Sequence, residues 1–311
     1  MKTRKYILVS TILLILGLSG LMPETIFAQD IRKPQKISMQ ETSSNFRLKY
    51  GMGLSTRYLW RGLDLAQAPT LEPYGIAQLQ NFELSLYGIY GLYENTAKHR
   101  DFEVDNPTGY AKLDPFYSDQ ITFTEVISNI LYNIHTKFGT FRLGLTDYYF
   151  PDKLVKKTSS YTDSSGIVHS SQNYRKSKWL DWDGNGEGAH VLEANILFTG
   201  HEKFPFWALL AVNVHNDPDN ALYLEAGYIF DLLNSKLSIW GGGTVGPSRW
   251  YQFSEVNGVL SKGNALTNFG VAFSREIALE SWLVINFSLQ DIIDFYDERN
   301  TVLFSTILKI E

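Results

Sequence analysis

Apolar and polar positions alternate along most of the chain, and the alternation begins at Phe46. Between 46 and 60 the even positions are mostly apolar or aromatic, whereas the odd positions are mostly cationic or small. Side chains of a β-strand point alternately to its two faces, so this period predicts a strand with one apolar face. The same period of two returns along the rest of the chain, and no segment shows a long helical period. Together these patterns predict an all-β fold. We expect about twelve strands, near 46–60, 72–80, 82–93, 119–132, 139–149, 188–199, 204–214, 221–230, 235–243, 265–274, 281–289 and 300–310.

The predicted connections alternate in length. Short ones at 80–82, 133–139, 200–203, 231–235 and 276–280 alternate with a second series that is mostly longer and more polar, at 61–71, 94–118, 150–187, 244–264 and 290–299. Within this second series only 215–220 is short. Such alternation is typical of outer-membrane β-barrels, in which short turns face the periplasm and long loops face outward. We therefore predict a transmembrane antiparallel up-and-down β-barrel. A soluble antiparallel sheet is the alternative, but its water-facing side would carry more Lys and Glu than this sequence supplies.

The cost of placing charge in lipid predicts which face of each strand points outward. An Arg or Lys facing lipid at the bilayer midplane costs about 2–4 kcal/mol. We therefore expect the rings of segment 46–60 to contact lipid and the cations of this segment to face the lumen or its rim. Aromatic side chains are expected near the outer interface, where aromatic belts occur, at Tyr58, Trp60, Tyr148, Tyr149 and Phe150.

The first 28 residues have the layout of a secretory signal peptide, with a basic start, a mostly apolar run and a candidate cleavage position at Ala28. An uncleaved membrane anchor is the alternative, although the apolar run is slightly short for a spanning helix. Residues 29–45 are polar, and we expect a flexible periplasmic leader there. The barrel then occupies residues 46–311.

Composition narrows the classes of function. The chain has 311 residues, no cysteine, 28 Lys and Arg, and 33 Asp and Glu. Without cysteine there is no disulfide framework, thiol chemistry or zinc–thiolate site. An acidic exported chain does not suggest a nucleic-acid partner.

Three segments resemble a known family. They are STRYLWRGLDLAQAPTLEP at 55–73, HVLEANI at 190–196 and YLEAGYIF at 223–230. Together they resemble the exported porins of the TorF family, although Thr56 separates Ser55 from Arg57 where that family's motif has no extra residue. The resemblance implies a barrel in the outer membrane of a Gram-negative bacterium, with inward glutamates on the two later segments.

The predicted lumen carries charges of both signs, and these are the candidate pore-lining residues. The set can act as a size and charge filter, or the charges can pair and brace the barrel wall. We expect passive diffusion of small polar solutes through a narrow channel, without a chemical step, and contacts with outer-membrane lipid and lipopolysaccharide. The candidates are Arg47, Lys49, Arg57, Arg61, Glu83, Glu125, Arg142, Glu193 and Glu225.

The segment DWDGNGEG at 181–188 is a candidate calcium loop. Asp181, Asp183, Asn185 and Gly186 match the start of the D-x-D-x-N-G pattern, and Glu187 adds a further carboxylate. The glutamate that this pattern requires at its twelfth position is absent. An acidic, solvated loop is therefore the main alternative to a weakly bound Ca²⁺, and we expect no other cofactor.

Two other functions stay open. An outer-membrane lipid hydrolase would need a His–Ser pair near the membrane surface, and the nearest candidate is His169 with Ser170 and Ser171 in a Ser/Thr-rich segment. By parity His190 faces lipid or the interface, which makes it a poor base. We expect no enzyme. A closed barrel with a structural or surface-binding role would need a lumen that is blocked by its own salt bridges.

Overall fold

The computed structural model describes residues 46–93, 123–151, 154–176, 178–184, 188–217, 219–246, 255–256, 259–260, 264–295 and 299–310. All of the regular structure in these ranges is β-strand. None of the described residues forms a helix that is long and apolar enough to cross a bilayer. The strands are β1 Phe46–Ser55, β2 Tyr58–Trp60, β3 Leu63–Ala66, β4 Thr70–Leu79, β5 Phe82–Gly91, β6 Thr124–Thr136, β7 Gly139–Tyr149, β8 Leu154–Thr162, β9 Val168–Lys176, β10 His190–Gly200, β11 Phe206–His215, β12 Leu222–Leu232, β13 Ser235–Val245, β14 Glu255–Val256, β15 Val259–Leu260, β16 Ala265–Glu280, β17 Leu283–Asp294 and β18 Arg299–Ile310.

Twelve of these strands form one closed antiparallel barrel, as the sequence predicts. Around the wall the order is β1, β18, β17, β16, β13, β12, β11, β10, β7, β6, β5 and β4, which returns to β1. Strands that are neighbours in sequence are therefore neighbours in space. The closing pair joins Tyr50 to Ile310 and Ser55 to Ser305. The remaining strands form three separate hairpins, β2–β3, β8–β9 and β14–β15.

The two ends of the barrel differ in their connections. At one end, called here the short-turn end, two to five residues join β4 to β5, β6 to β7, β10 to β11, β12 to β13 and β16 to β17. Most connections at the opposite end, the long-loop end, are longer, and all three separate hairpins lie within them. Both Phe46 and Ile310 lie at the short-turn end.

The outward and inward faces of the wall differ in side-chain size and polarity. The outward side chains of β1, at Phe46, Leu48, Tyr50, Met52 and Leu54, are between 45% and 56% exposed. Inside the barrel, large rings pack closely against the glycines of neighbouring strands. A Cβ atom added to Gly270 would lie 2.1 Å from the indole ring of Trp240. The glycines on the inward face therefore make room for rings along the wall.

Much of the described lumen is filled with side chains. One cluster of buried residues includes Tyr58, Tyr87, Tyr148 and Tyr223, and a second is built around Trp207 and Trp240. Tyr58 and its neighbour Leu59 come from a segment that has left the wall and contacts both clusters. This barrel therefore has a core on its inside.

The predicted strand 46–60 is too long. The wall strand ends at Ser55, because residues 56–57 bend and the chain turns into the lumen as hairpin β2–β3. Tyr58 is 4% exposed inside the barrel, so its predicted contact with lipid is wrong. Trp60 and Tyr148 also face inward, where their rings meet edge to face. Tyr149 and Phe150 are buried as well, although both were expected at an exposed interface.

Candidate functional site: a hairpin-divided lumen

The β2–β3 hairpin reverses direction in a two-residue turn at Arg61 and Gly62. Both residues have positive φ angles, of 53° and 91°, as the commonest tight hairpin turn requires. The turn reaches the inner wall at β16, because a Cβ atom on Gly62 would lie 2.8 Å from Cβ of Asn268 on that strand. Glycine therefore serves here both for its backbone conformation and for the close approach of the tip to the wall.

Arg61 ties the hairpin tip to the wall. Its Nη1 lies 2.6 Å from Oε2 of Glu193 on β10, and its Nη2 donates a 2.9 Å hydrogen bond to Oε1. The guanidinium also lies 4.5 Å from the ring centroids of Trp60 and Tyr223. A bidentate contact between a guanidinium and a carboxylate, both at most 8% exposed, fixes distance and orientation together.

From Glu193 a belt of hydrogen bonds runs along the inner wall. The amide of Asn195 donates to Oε1 of Glu193 at 3.3 Å and to Oγ1 of Thr146 at 2.9 Å. Thr146 donates to Asn129 at 2.7 Å, and Asn129 donates to Ser85 at 3.0 Å. The belt therefore crosses four adjacent strands, β10, β7, β6 and β5.

A second polar group lies on the other side of the hairpin tip. Tyr223 donates a 2.7 Å hydrogen bond to Glu225 and contacts Oδ1 of Asn268 at 2.9 Å. The amide of Asn268 in turn donates to Glu225 at 3.1 Å. Glu193 and Glu225 both face inward, as the resemblance implies, and each is embedded in hydrogen bonds.

A cavity of about 120 Å³ lies between the hairpin and the inner wall of the barrel. At about 30 Å³ for each water molecule, it has room for about four waters or for one small solute. Its wall combines rings and aliphatic side chains with the polar belt. Its lining includes Trp60, Arg61, Tyr87, Asn129, Arg142, Tyr148, Glu193 and Asn195.

Arg142, which lines this cavity, belongs to a second ion pair. Nη2 of Arg142 on β7 is 2.6 Å from Oε1 of Glu83 on β5, and both side chains are at most 8% exposed. The pair bridges across β6, which lies between these two strands. Two of the charges proposed as lumen-facing therefore brace the wall, and one of them, Arg142, also lines the cavity.

The other predicted pore-lining residues lie apart from the cavity. Arg57 is at the base of the hairpin rather than on the wall, and it pairs with Asp64. Arg47 and Lys49 lie on the inward face of β1 at the short-turn end, where both are exposed. Glu125 is almost fully buried at the long-loop end, opposite Ile89.

Several inward polar residues were missed by the sequence analysis. Glu72 on β4 is fully buried and accepts a 2.6 Å hydrogen bond from Thr70. Toward the short-turn end, Lys309 lies 3.1 Å from Glu276, which also accepts a 2.8 Å hydrogen bond from Asn286. The parity of β18 contains the signal for Lys309, because this lysine is out of phase with the exposed apolar residues of its strand.

His190 lies on the outward side of β10, but it does not face lipid. Its Nδ1 is 3.0 Å from both carboxylate oxygens of Asp147, and its Nε2 is 2.7 Å from the Trp179 carbonyl oxygen. The ring lies between Trp182, whose centroid is 3.9 Å away, and Tyr149, whose centroid is 4.6 Å away. The prediction that His190 is a poor base fits this geometry, because both of its nitrogens are engaged and the side chain is fully buried.

The candidate calcium loop is described in part. Asp181 is buried and Asp183 is exposed, while Asn185 and Glu187 lie outside the described residues. Within the described ranges, no group of three or more His, Asp or Glu side chains is arranged to hold a metal ion. The calcium site stays a prediction.

The candidate hydrolase residues lie on a hairpin strand. His169, Ser170 and Ser171 belong to β9, which pairs with β8 outside the barrel sheet. The segment predicted to be a loop is therefore a hairpin, and the positions of these three side chains lie outside what the structure describes.

No family model and no curated protein matches this sequence. Among solved structures, the chain is similar to the COG4313 outer membrane channel from Pseudomonas putida F1. The two share 11% sequence identity at a TM-score of 0.38, and the alignment covers 92% of this chain and 99% of that one.

Proposed function

We propose that this protein is an outer-membrane channel of a Gram-negative bacterium that admits small polar solutes by passive diffusion. The observation that carries the proposal is the β2–β3 hairpin, which lies inside the barrel and leaves a small cavity beside a belt of polar side chains. A closed barrel satisfies all backbone groups of its wall, which suits a bilayer. The exposed apolar side chains on the outward face support the same location.

Diffusion through such a lumen requires no chemical step. The hydroxyls, amides and paired charges of the belt can exchange hydrogen bonds with a passing solute, as selectivity regions of other pores do. The size of the cavity favours solutes of only a few non-hydrogen atoms. In this proposal the hairpin sets the narrowest point, and the two buried ion pairs hold the wall around it.

The lipid hydrolase alternative gains no support from His190, which lies on the outward side of β10. A general base must accept a proton from a nucleophile. Nε2 of His190 instead faces the Trp179 carbonyl, and rings cover both faces of the imidazole.

The experiment that tests the proposal is conductance in planar bilayers. The mature protein is refolded in detergent, its folding is checked by heat-modifiable mobility, and the reversal potential is measured under a KCl gradient. We expect discrete steps of small conductance with a defined selectivity. Silent bilayers with a correctly folded barrel would contradict the proposal and favour a closed structural or surface-binding barrel. Heat-unfolded protein is the control for leaks.

A further inference from the structure

The outward surface of the wall carries a polar pair near the long-loop end. Asp147 on β7 and His190 on β10 have the same parity along their strands as Leu145 and Ile196, which are each 42% exposed on the outside of the barrel. The side chain of His190 is nevertheless fully buried, and that of Asp147 is only 16% exposed. Another part of the chain therefore covers these two polar groups from outside.

The pair lies at a height where the outward surface of a barrel contacts lipid. Tyr149, the cross-strand partner of His190, follows the exposed Phe141 by eight residues on β7. At about 3.4 Å for each residue and a strand tilt of about 35–45°, this separation corresponds to about 20 Å along the barrel axis. The apolar band of such barrels is about 25 Å tall. With its lower edge near Phe141, at the short-turn end, the band reaches the level of the polar pair.

The cover is the segment of residues 178–184, called here the covering segment. Its backbone is held to the wall by the 2.7 Å contact between the Trp179 carbonyl oxygen and Nε2 of His190. The Trp179 ring meets the imidazole edge to face, with 5.5 Å between the ring centroids, and Trp182 stacks on the imidazole. The segment therefore places aromatic rings over a polar part of the outward wall.

The outer surface of the covering segment is itself apolar. Trp179 is 53% exposed, Leu180 82% and Trp182 42%. Large apolar side chains favour contact with lipid over contact with water, and tryptophan is enriched at membrane interfaces because its ring is apolar and its N–H is polar. The exposed Lys178 beside them can extend its charged end toward lipid headgroups. These residues therefore continue the outward apolar surface of the wall toward the long loops.

We propose that the covering segment is a contact surface for the outer leaflet of the membrane, an inference that rests on the proposed outer-membrane location. Trp179 and Leu180 lie at the boundary between lipid headgroups and acyl chains, and the segment keeps the Asp147–His190 pair away from lipid. The aromatic belt that the sequence predicts at Tyr149 is then supplied, on this side of the barrel, by the ring of Trp179 that packs against Tyr149.

The test is the depth of a nitroxide label on single cysteines, since the chain has no cysteine of its own. Leu180→Cys reports on the covering segment. Leu145→Cys is the control on the lipid-facing wall, and Leu233→Cys, at a side chain that is 99% exposed in the turn between β12 and β13, is the control in water. Each variant is refolded into dilauroylphosphatidylcholine vesicles and checked by heat-modifiable mobility. Electron paramagnetic resonance then measures how often the label collides with oxygen, which dissolves in lipid, and with a nickel chelate, which dissolves in water.

We expect the nickel chelate to collide with the Leu180→Cys label at least about threefold less often than with the Leu233→Cys label, because lipid shields an interfacial side chain. Equal nickel access at these two positions, with a shielded Leu145→Cys label, would overturn the inference and keep the membrane location. Full nickel access at Leu145→Cys as well would overturn the membrane location, and the proposed channel with it.

The native ring of Trp179 gives a second readout. In vesicles whose lipid carries bromine on the upper part of its acyl chains, bromine quenches tryptophan rings that contact lipid. Trp179→Phe should lower the quenched fraction of the total fluorescence. The control Trp207→Phe removes a ring that is 1% exposed inside the barrel, and it should raise the quenched fraction. A quenched fraction that does not fall in Trp179→Phe would overturn the contact of this ring with lipid.

Discussion

Arg61 and Glu193 are 132 positions apart in sequence, yet their side chains meet at 2.6 Å inside the barrel. Arg61 is carried by a hairpin that leaves the wall between β1 and β4, whereas Glu193 belongs to β10 on the far side. This contact holds the hairpin across the lumen. Arg61 also links two polar groups, because it contacts Glu193 in the belt that crosses β5, β6, β7 and β10 and lies over the ring of Tyr223 on the other side of the hairpin tip.

We predict that Glu193→Gln releases the hairpin tip and adds a larger conductance level in planar bilayers. Removing one partner of a buried ion pair leaves the other charge uncompensated and costs about 3–5 kcal/mol. Here the Arg61 guanidinium can regain solvation by moving with the hairpin. The arrangement in which the hairpin crosses the lumen therefore loses population. Glu276→Gln is the control, because it breaks the ion pair to Lys309 without touching the hairpin. An unchanged set of conductance levels in Glu193→Gln would show that this ion pair does not hold the constriction.

Arg142→Met should destabilise the barrel, because it leaves Glu83 buried without its partner. We expect the free energy of unfolding to fall by about 3–5 kcal/mol. The double variant Arg142→Met with Glu83→Gln should recover part of this loss, since it removes the isolated charge. Urea unfolding of the refolded protein, followed by tryptophan fluorescence, measures both. If the losses of unfolding free energy in Arg142→Met alone and Glu83→Gln alone added up to the loss in the double variant, Arg142 and Glu83 would not be coupled.

The sequence predicts the wall well because the wall has a local signature. In a barrel strand every second side chain meets the outside, so the period of two survives along each strand. The inward positions of Glu193 and Glu225 follow from that period alone. The alternation of connection lengths then predicts the order of strands around the barrel.

The hairpin inside the lumen was not predicted, because apolar residues continue past the end of β1. Tyr58 and Trp60 keep the parity of the wall, yet they point into the cluster around Tyr87 rather than outward. A two-residue turn at Arg61-Gly62, between Trp60 and Leu63, is the local signal that was available. The partner of Arg61 could not be predicted, because a contact across 132 positions depends on closure of the whole barrel.

Gly270→Val tests the packing of rings against the inner wall. A Cβ atom at this position would lie 2.1 Å from the Trp240 ring, so the indole must move toward the lumen. We expect a loss of about 1–3 kcal/mol of stability and a shift in tryptophan emission. Gly75→Val is the control, because a Cβ atom there meets nothing within 4 Å. Equal stability of the two variants would mean that the Trp240 ring can move to another position on the inner wall without a loss of stability.

Asp217 should make the turn between β11 and β12 sensitive to pH. Its Oδ2 accepts hydrogen bonds from Asn213 at 2.9 Å and from the Ala221 backbone at 2.8 Å. Burial nevertheless raises the pKa of this carboxyl above its usual value of 3.8, because lost solvation outweighs these hydrogen bonds. The folded state therefore binds the proton more tightly than the unfolded state does.

It follows that the contribution of Asp217 to stability is fully present below pH 3.8 and is lost as pH rises through the raised pKa. Relative to wild type, Asp217→Asn should show a smaller loss of unfolding free energy across this window. Urea unfolding at several pH values measures the difference in slope. Asp231→Asn, at the exposed rim of the short-turn end, is the control that should keep the slope of wild type. A slope in Asp217→Asn identical to that of wild type would argue against this titration.

His190→Phe should loosen the segment that carries Trp179 and Trp182 from the outer wall. Phenylalanine can keep the stacking between Trp182 and Tyr149, but it loses the contacts to Asp147 and to the Trp179 carbonyl. Leaving such buried acceptors without donors costs about 1–3 kcal/mol each.

The measurement is the rate of trypsin cleavage after Lys178, an exposed residue in this segment, followed by mass spectrometry on the folded barrel. We expect cleavage to become at least about tenfold faster, in line with the lost hydrogen bonds. His135→Phe at the short-turn end loses only a 3.1 Å contact to Thr140 and is the control. Unchanged cleavage in His190→Phe would mean that stacking alone holds the segment, and the ring nitrogens would then have no part in anchoring it.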